Sequence, residues 1–114
     1  MSKHDDNVSM RHMLDHAREA IEMAQGRTRS DLDVDRMLQL ALTRLVEIVD
    51  EAAKRVSLEA RQQQPEIAWS QIIGLRNRLI LGYDAVDLNI LWDIVQDDLP
   101  PLIAELERIL TENV

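Results

Sequence analysis

The chain reads as an all-α protein, an up-and-down bundle of about five helices. Three observations carry this. Gly and Pro occur three times each in 114 residues. Runs rich in β-branched and aromatic residues are absent. Apolar residues recur at three-four spacing through most of the chain. At this length one core in one domain, spanning 1–114, is expected.

The first seven residues, MSKHDDN, are polar and are expected to fray. They lack the apolar core of a signal peptide. The first helix is expected from about Val8 to Gln25. Met10, Leu14, Ala17, Ile21 and Ala24 share one face there, and Gly26 suits the stop. Ser30 is the expected cap of a long central helix, with Asp31 and Asp33 favoured by the dipole of its first turn. Its stripe is Val34, Leu38, Ala41, Leu45, Ile48, Ala52 and Val56, widened by Leu42, Val46, Val49 and Ala53. So broad a face needs more than one neighbour. Run to about Gln62, this helix would be roughly 45–50 Å long. On its surface, Asp50–Lys54 and Glu51–Arg55 have the spacing of ion pairs.

Pro65 breaks the helix. A third helix is expected from about Ile67 to Leu81, with Trp69, Ile72, Ile73, Leu79 and Ile80 inward and Gly82 releasing the chain. Asp84 is the expected cap of a fourth, carrying Val86, Ile90, Leu91, Ile94 and Val95. Asp98 is the expected cap of a fifth, with Pro100 and Pro101 in its first turn and Leu102, Leu106, Ile109 and Leu110 buried.

Composition removes several classes of function. There is no Cys, hence no disulfide and no thiolate chemistry, which fits a cytoplasmic protein. No apolar run is long enough to span a membrane. The net charge of −8 argues against a general nucleic-acid coat, although a small basic site remains compatible with it. No phosphate-binding glycine loop, Ser-His-Asp set or HExxH motif is present. His12 and His16 are four apart, as metal ligands on a helix are, but the third histidine is His4, in the expected tail. Solvated histidines are the simpler reading, and no metal site or cofactor is expected. Met10, Met13, Met23 and Met37 read as core or interface filler. Trp69 and Trp92 read as packing anchors whose ring N–H groups need partners.

One stretch stands apart, GLRNRLILGYD at 74–84. It sets Arg76, Asn77, Arg78 and Tyr83 around an apolar run. On an uninterrupted helix Arg76 and Tyr83 would lie about 20° apart on one face. Spacing alone leaves two readings open: surface charges beside a packed ring, or an anion site.

The blocks ALTRLVEIVDEAAKRVS (41–57), PEIAW (65–69), IIGLRNRLILGYDAVD (72–87), LWDIV (91–95) and DLPPL (98–102) resemble HepT, the toxin of HepT/MNT toxin–antitoxin modules and a member of the HEPN ribonucleases. The resemblance spans almost the whole chain, in order. It implies a helical homodimer that cleaves RNA without a metal, the 2′-hydroxyl of the RNA attacking the adjacent phosphate. The family motif is Arg, four to six residues, His, any residue, Tyr. Arg76 matches the arginine, Asn77 the polar residue that often follows it, and Tyr83 the tyrosine. The histidine position holds Leu81. Arg76 would then steady phosphorane charge, and Asn77 and Arg78 would bind RNA. Leu81 has no lone pair and cannot serve as the base, so the chain is expected to be inactive or nearly so. The resemblance further implies an MNT-type nucleotidyltransferase antitoxin that uses ATP and Mg²⁺ to AMPylate Tyr83. Glu51 matches an acidic position of the long-helix block and would either orient an arginine or pair with Arg55. The alternative function is a non-catalytic dimeric binding scaffold of the same fold.

Overall fold

A computed structural model describes residues 3–80 and 85–112. The described residues are helical throughout apart from turns and one isolated backbone bridge. The α1 helix (Lys3–Ala24) and α3 (Arg36–Arg55) pack along their lengths, and α8 (Leu99–Glu112) lies against α1. Contacts at the ends give the directions. Asp6 at the start of α1 meets Ser57, just past the end of α3. The end of α1, at Ile21 and Ala24, borders Pro100 in the first turn of α8, and Arg18, a turn earlier on α1, meets Glu107 further along α8. Both neighbours therefore run antiparallel to α1, as an up-and-down bundle requires.

The core forms where the faces of these three helices meet. Met10, Met13, Leu14, Ala17, Ala20 and Ala24 of α1 are buried with Leu38, Leu42, Val46, Val49, Ala52 and Ala53 of α3. Leu102, Leu106, Ile109 and Leu110 of α8 close it. The alanines remove bulk, which lets side chains from the facing helix fill the gap. Trp69 and Trp92 pack against this core, and the Trp69 ring N–H donates to the Gln64 carbonyl at 3.0 Å.

Several boundaries differ from the sequence reading, each for a local reason. Residues 3–7 do not fray; they form the first turns of α1, because Asp6 is buried and accepts hydrogen bonds from Ser57 N–H and Oγ–H, both at 2.8 Å. The long central helix is three pieces: α2 (Asp31–Val34), α3 and α4 (Leu58–Gln63). Ser30 makes no capping hydrogen bond. The caps are Asp35, which accepts from Leu38 N–H, and Ser57, which accepts from Ala60 N–H. At 20 residues, α3 is about 30 Å long rather than the 45–50 Å expected. Val34 leaves the buried stripe altogether and is 86% exposed.

The third helix is likewise divided, into α5 (Trp69–Ile72) and α6 (Leu75–Leu79). It ends before Leu81 because Ile80 turns extended and bridges Val86, while Asp87 N–H donates to the Leu79 carbonyl at 2.7 Å. The helix after it, α7 (Leu88–Asp93), is capped by Asp87, whose carboxylate accepts from Asn89 and Ile90 N–H. Asp84, the expected cap, lies outside the described residues. From α7 the chain continues without a break through a π-helical stretch, Ile94–Asp98, into α8. Asp98 therefore caps nothing. Pro100 and Pro101 have no N–H to give to the preceding turn, and the widened π turn, in which Leu99 N–H reaches back to the Ile94 carbonyl, accommodates them. No described helix is long and apolar enough to cross a membrane.

Candidate functional site

The helix carrying the singled-out arginines is α6, five residues long. Leu75 and Leu79, one turn apart, are buried and anchor it. That leaves Arg76, Asn77 and Arg78 in succession on the solvent side. The residue before α6 is Gly74, which has no side chain with which to cap. The cap comes from another helix: Asp50 of α3 accepts the Arg76 backbone N–H at 3.0 Å.

The two arginines have different surroundings. Arg76 Nε lies 3.5 Å from Glu47 Oε2, with 59% of its side chain exposed. A pair this long and open is weak, and a phosphate could replace the carboxylate. Arg78 is tied at 2.7 Å to Asp98, one residue before α8. The structure thus gives Arg78, expected on RNA, an acidic neighbour. Asn77 is exposed beside them.

Leu81 and Tyr83 lie outside the described residues, so neither is placed relative to Arg76. The helix that carries Arg76 stops at Leu79, and Ile80 is extended. Beyond them, Ala85, Val86 and Leu88 are described. They line a groove of about 580 Å³ with Arg36, Gln39, Leu40, Thr43, Arg44 and Glu47 of α3. Glu47 faces both this groove and Arg76.

Glu47 and Asp50 are the residues that the sequence reading missed. It singled out Glu51, which pairs with Arg44 at 3.4 Å rather than with Arg55. Arg44 also lies 3.7 Å from Glu47, so charge alternates from Glu51 through Arg44 and Glu47 to Arg76. The expected Asp50–Lys54 pair does form, at 3.4 Å, but Asp50 is buried rather than on the surface. The signal was available: Glu47 and Asp50 are three apart, one turn of the same helix. With Arg44, Lys54 and Arg76 opposed by Glu47, Asp50 and Glu51, the area is close to neutral rather than a basic patch.

His12 and His16 of α1 lie against each other. His16 Nδ1 donates to the His12 carbonyl at 2.7 Å, and the two rings are 5.7 Å apart and tilted. Among the described residues, no three His, Cys, Asp or Glu side chains are grouped to hold a metal ion.

The ribonuclease HepT-like family matches residues 13–109, which takes in α6, the groove and nearly all of the core. The chain belongs to the HepT-like ribonuclease family. "Probable ribonuclease HepT" of Thermococcus cleftensis is 34% identical over 100 residues, covering 84% of this chain and 91% of that protein. "Putative RNase MJ1380" of Methanocaldococcus jannaschii is 32% identical over 109 residues, covering 96% of this chain and all of that protein. "Putative RNase TTE0752" of Caldanaerobacter subterraneus is 31% identical over 104 residues, covering 91% and 93%. No solved structure matches the chain. Membership of the HepT-like family bears out the resemblance drawn from the sequence blocks.

Proposed function

We propose that this chain is the toxin of a HepT/MNT-type toxin–antitoxin pair, built as a metal-independent endoribonuclease and disarmed by Leu81. The observation that carries this reading is Arg76. In a chain of the HepT-like family it is an arginine presented to solvent, held by its backbone, with a guanidinium opposed, among the described residues, by one long and partly exposed pair with Glu47.

In the proposed reaction the RNA 2′-hydroxyl loses its proton to a base, and its oxygen attacks the adjacent phosphorus. The bond to the 5′-oxygen of the next nucleotide breaks, and that oxygen takes up a proton. Arg76 stabilises the charge on the phosphorane oxygens, which its planar fork matches. Asn77 adds a hydrogen bond to RNA, and Arg78 joins only if it leaves Asp98. The base is missing, since Leu81 offers no lone pair. The loss of general base catalysis amounts to roughly 10²–10⁴ in rate.

Two further parts belong to the proposal. The chain acts as a homodimer, a reading supported by the apolar side chains that α3 leaves in water: Met37 is 81% exposed and Leu40 54%. Tyr83 is the acceptor of AMP from a nucleotidyltransferase antitoxin, whose added bulk and negative charge repel RNA from Arg76.

The test is the Leu81→His protein. It cleaves single-stranded RNA without added metal at least about 10² faster than the unaltered chain. After incubation with the antitoxin, ATP and Mg²⁺ it gains the mass of AMP on Tyr83 and stops cleaving. A Leu81→His protein that folds and leaves RNA intact overturns the ribonuclease reading and favours the binding scaffold.

A further inference from the structure

Asp50 sits in the second half of the core helix α3 and is 1% exposed. A carboxylate so placed is costly unless its oxygens are satisfied. Its Oδ2 accepts the Arg76 backbone N–H at 3.0 Å. Its Oδ1 has no hydrogen bond among the described residues and lies 3.4 Å from the Lys54 ammonium. An apolar residue here would carry no such cost. What the carboxylate does is reach across to α6 and supply the cap that Gly74 cannot. A local Ser or Asp at position 74 would cap α6 equally well, but would leave the helix free to shift relative to α3.

Glu47 completes the arrangement. It lies one turn before Asp50 on α3 and faces the guanidinium of the same arginine at 3.5 Å. Two carboxylates three residues apart thus hold the two ends of one residue: Asp50 the backbone, Glu47 the side chain. The grips differ in kind. The Asp50 contact is buried and charge-assisted, hence durable. The Glu47 contact is long, at 3.5 Å, and open on the Arg76 side, so it yields to a competing anion.

We propose that Asp50 is a positioning residue for Arg76. It fixes the backbone of the phosphate-binding arginine to the core, so that the guanidinium moves from Glu47 to an RNA phosphate without displacing α6. The part of this that concerns the reaction rests on the ribonuclease reading above; the part that concerns the placing of Arg76 does not.

Two measurements separate the two parts. The first is amide hydrogen exchange of the chain itself, read residue by residue. In Asp50→Ala, exchange at the Arg76 amide accelerates about tenfold or more, whereas the amides of α1 and α8 keep their protection. Asp50→Asn, which keeps an acceptor oxygen but not the charge, falls between. Unchanged Arg76 exchange in both variants overturns the proposal. Should Asp50→Ala fail to fold, Asp50→Asn carries the same comparison.

The second is RNA cleavage in the Leu81→His background. Adding Asp50→Asn lowers kcat about tenfold to a hundredfold, with a much smaller change in KM, because a misplaced Arg76 still attracts RNA but no longer meets the transition state. A double variant that cleaves as fast as Leu81→His alone overturns the reaction role. If Leu81→His itself does not cleave, the ribonuclease reading fails, and the exchange measurement alone decides whether Asp50 places Arg76.

Discussion

Asp35 accepts a hydrogen bond from the Arg27 guanidinium at 2.7 Å and another from Leu38 N–H at 3.0 Å. The bond from Arg27, then that from Leu38, holds its carboxyl below the ordinary value of 3.8. Asp31 is held low in the same way, first by Thr28 N–H and then also by Arg27. A depressed folded value means that the unfolded chain binds the proton more readily. The stabilisation is present above about pH 3.8 and is lost as pH falls through the lower, folded values. Stability measured by urea denaturation should therefore drop as pH falls below that point. Asp35→Asn should be less stable than the parent at pH 7 and show a shallower acid limb. Both side chains are about one-third exposed, 34% and 38%, so added salt should narrow the difference. A slope unchanged by the substitution would mean that the acid limb comes from other carboxylates.

Two breaks in a long apolar pattern shape the elements around the site. At Asp35 and at Ser57 a short polar residue offers its side chain to the backbone two or three residues on, and the chain restarts as a new helix. Ser57 also donates to Asp6, so one residue joins the start of α1, the end of α3 and the cap of α4. Ser57→Ala should cost about 1–2 kcal/mol in denaturant unfolding. Ser57→Ala removes the hydroxyl on Asp6 Oδ2, and Asp6→Asn keeps an oxygen for the Ser57 N–H, so Asp6→Asn should add little once Ser57 is alanine. Full additivity of the two would show that the contact does not hold in solution. The same logic accounts for α6, whose cap is borrowed from α3 because Gly74 has none to offer. A helix of five residues does not persist by its own propensity; Leu75, Leu79 and Asp50 hold it.

At the scale of the molecule, α1, α3 and α8 enclose the core, and α6 presents its polar residues outside it. The face of α3 turned away from α1 keeps Met37 and Leu40 in water, next to the groove that Arg44 and Glu47 also line. In the proposed dimer this face meets its symmetry mate, so that each motif lies near a two-fold axis. Met37→Glu places two like charges together there. The unaltered chain should elute and scatter light as a dimer, and Met37→Glu as a monomer with the same helical circular dichroism. A dimer that survives the substitution would put the interface elsewhere.

The sequence alone determined the fold class, the buried faces of Met10–Ala24, Leu42–Ala53 and Leu102–Leu110, the stop at Gly26 and the family. These follow from residue type and spacing, which act over one or two turns and are printed in the chain. It also located Arg76, by likeness of its block to a known motif. It did not show that the central helix breaks at Asp35 and Ser57, where strong caps sit inside an uninterrupted apolar stripe and local rules conflict. Nor did it show that α6 stops at Leu79, a consequence of the pairing of Ile80 with Val86 across the following loop. Glu47 and Asp50 were legible as carboxylates one turn apart, but not as partners of Arg76, from which they are separated by 29 and 26 positions in the chain. Only tertiary packing brings α3 under α6. That crossing decides which acidic residues of the long helix hold the arginine, because a side chain's partner is set by distance in space, and spacing along the chain fixes that distance only within one helix.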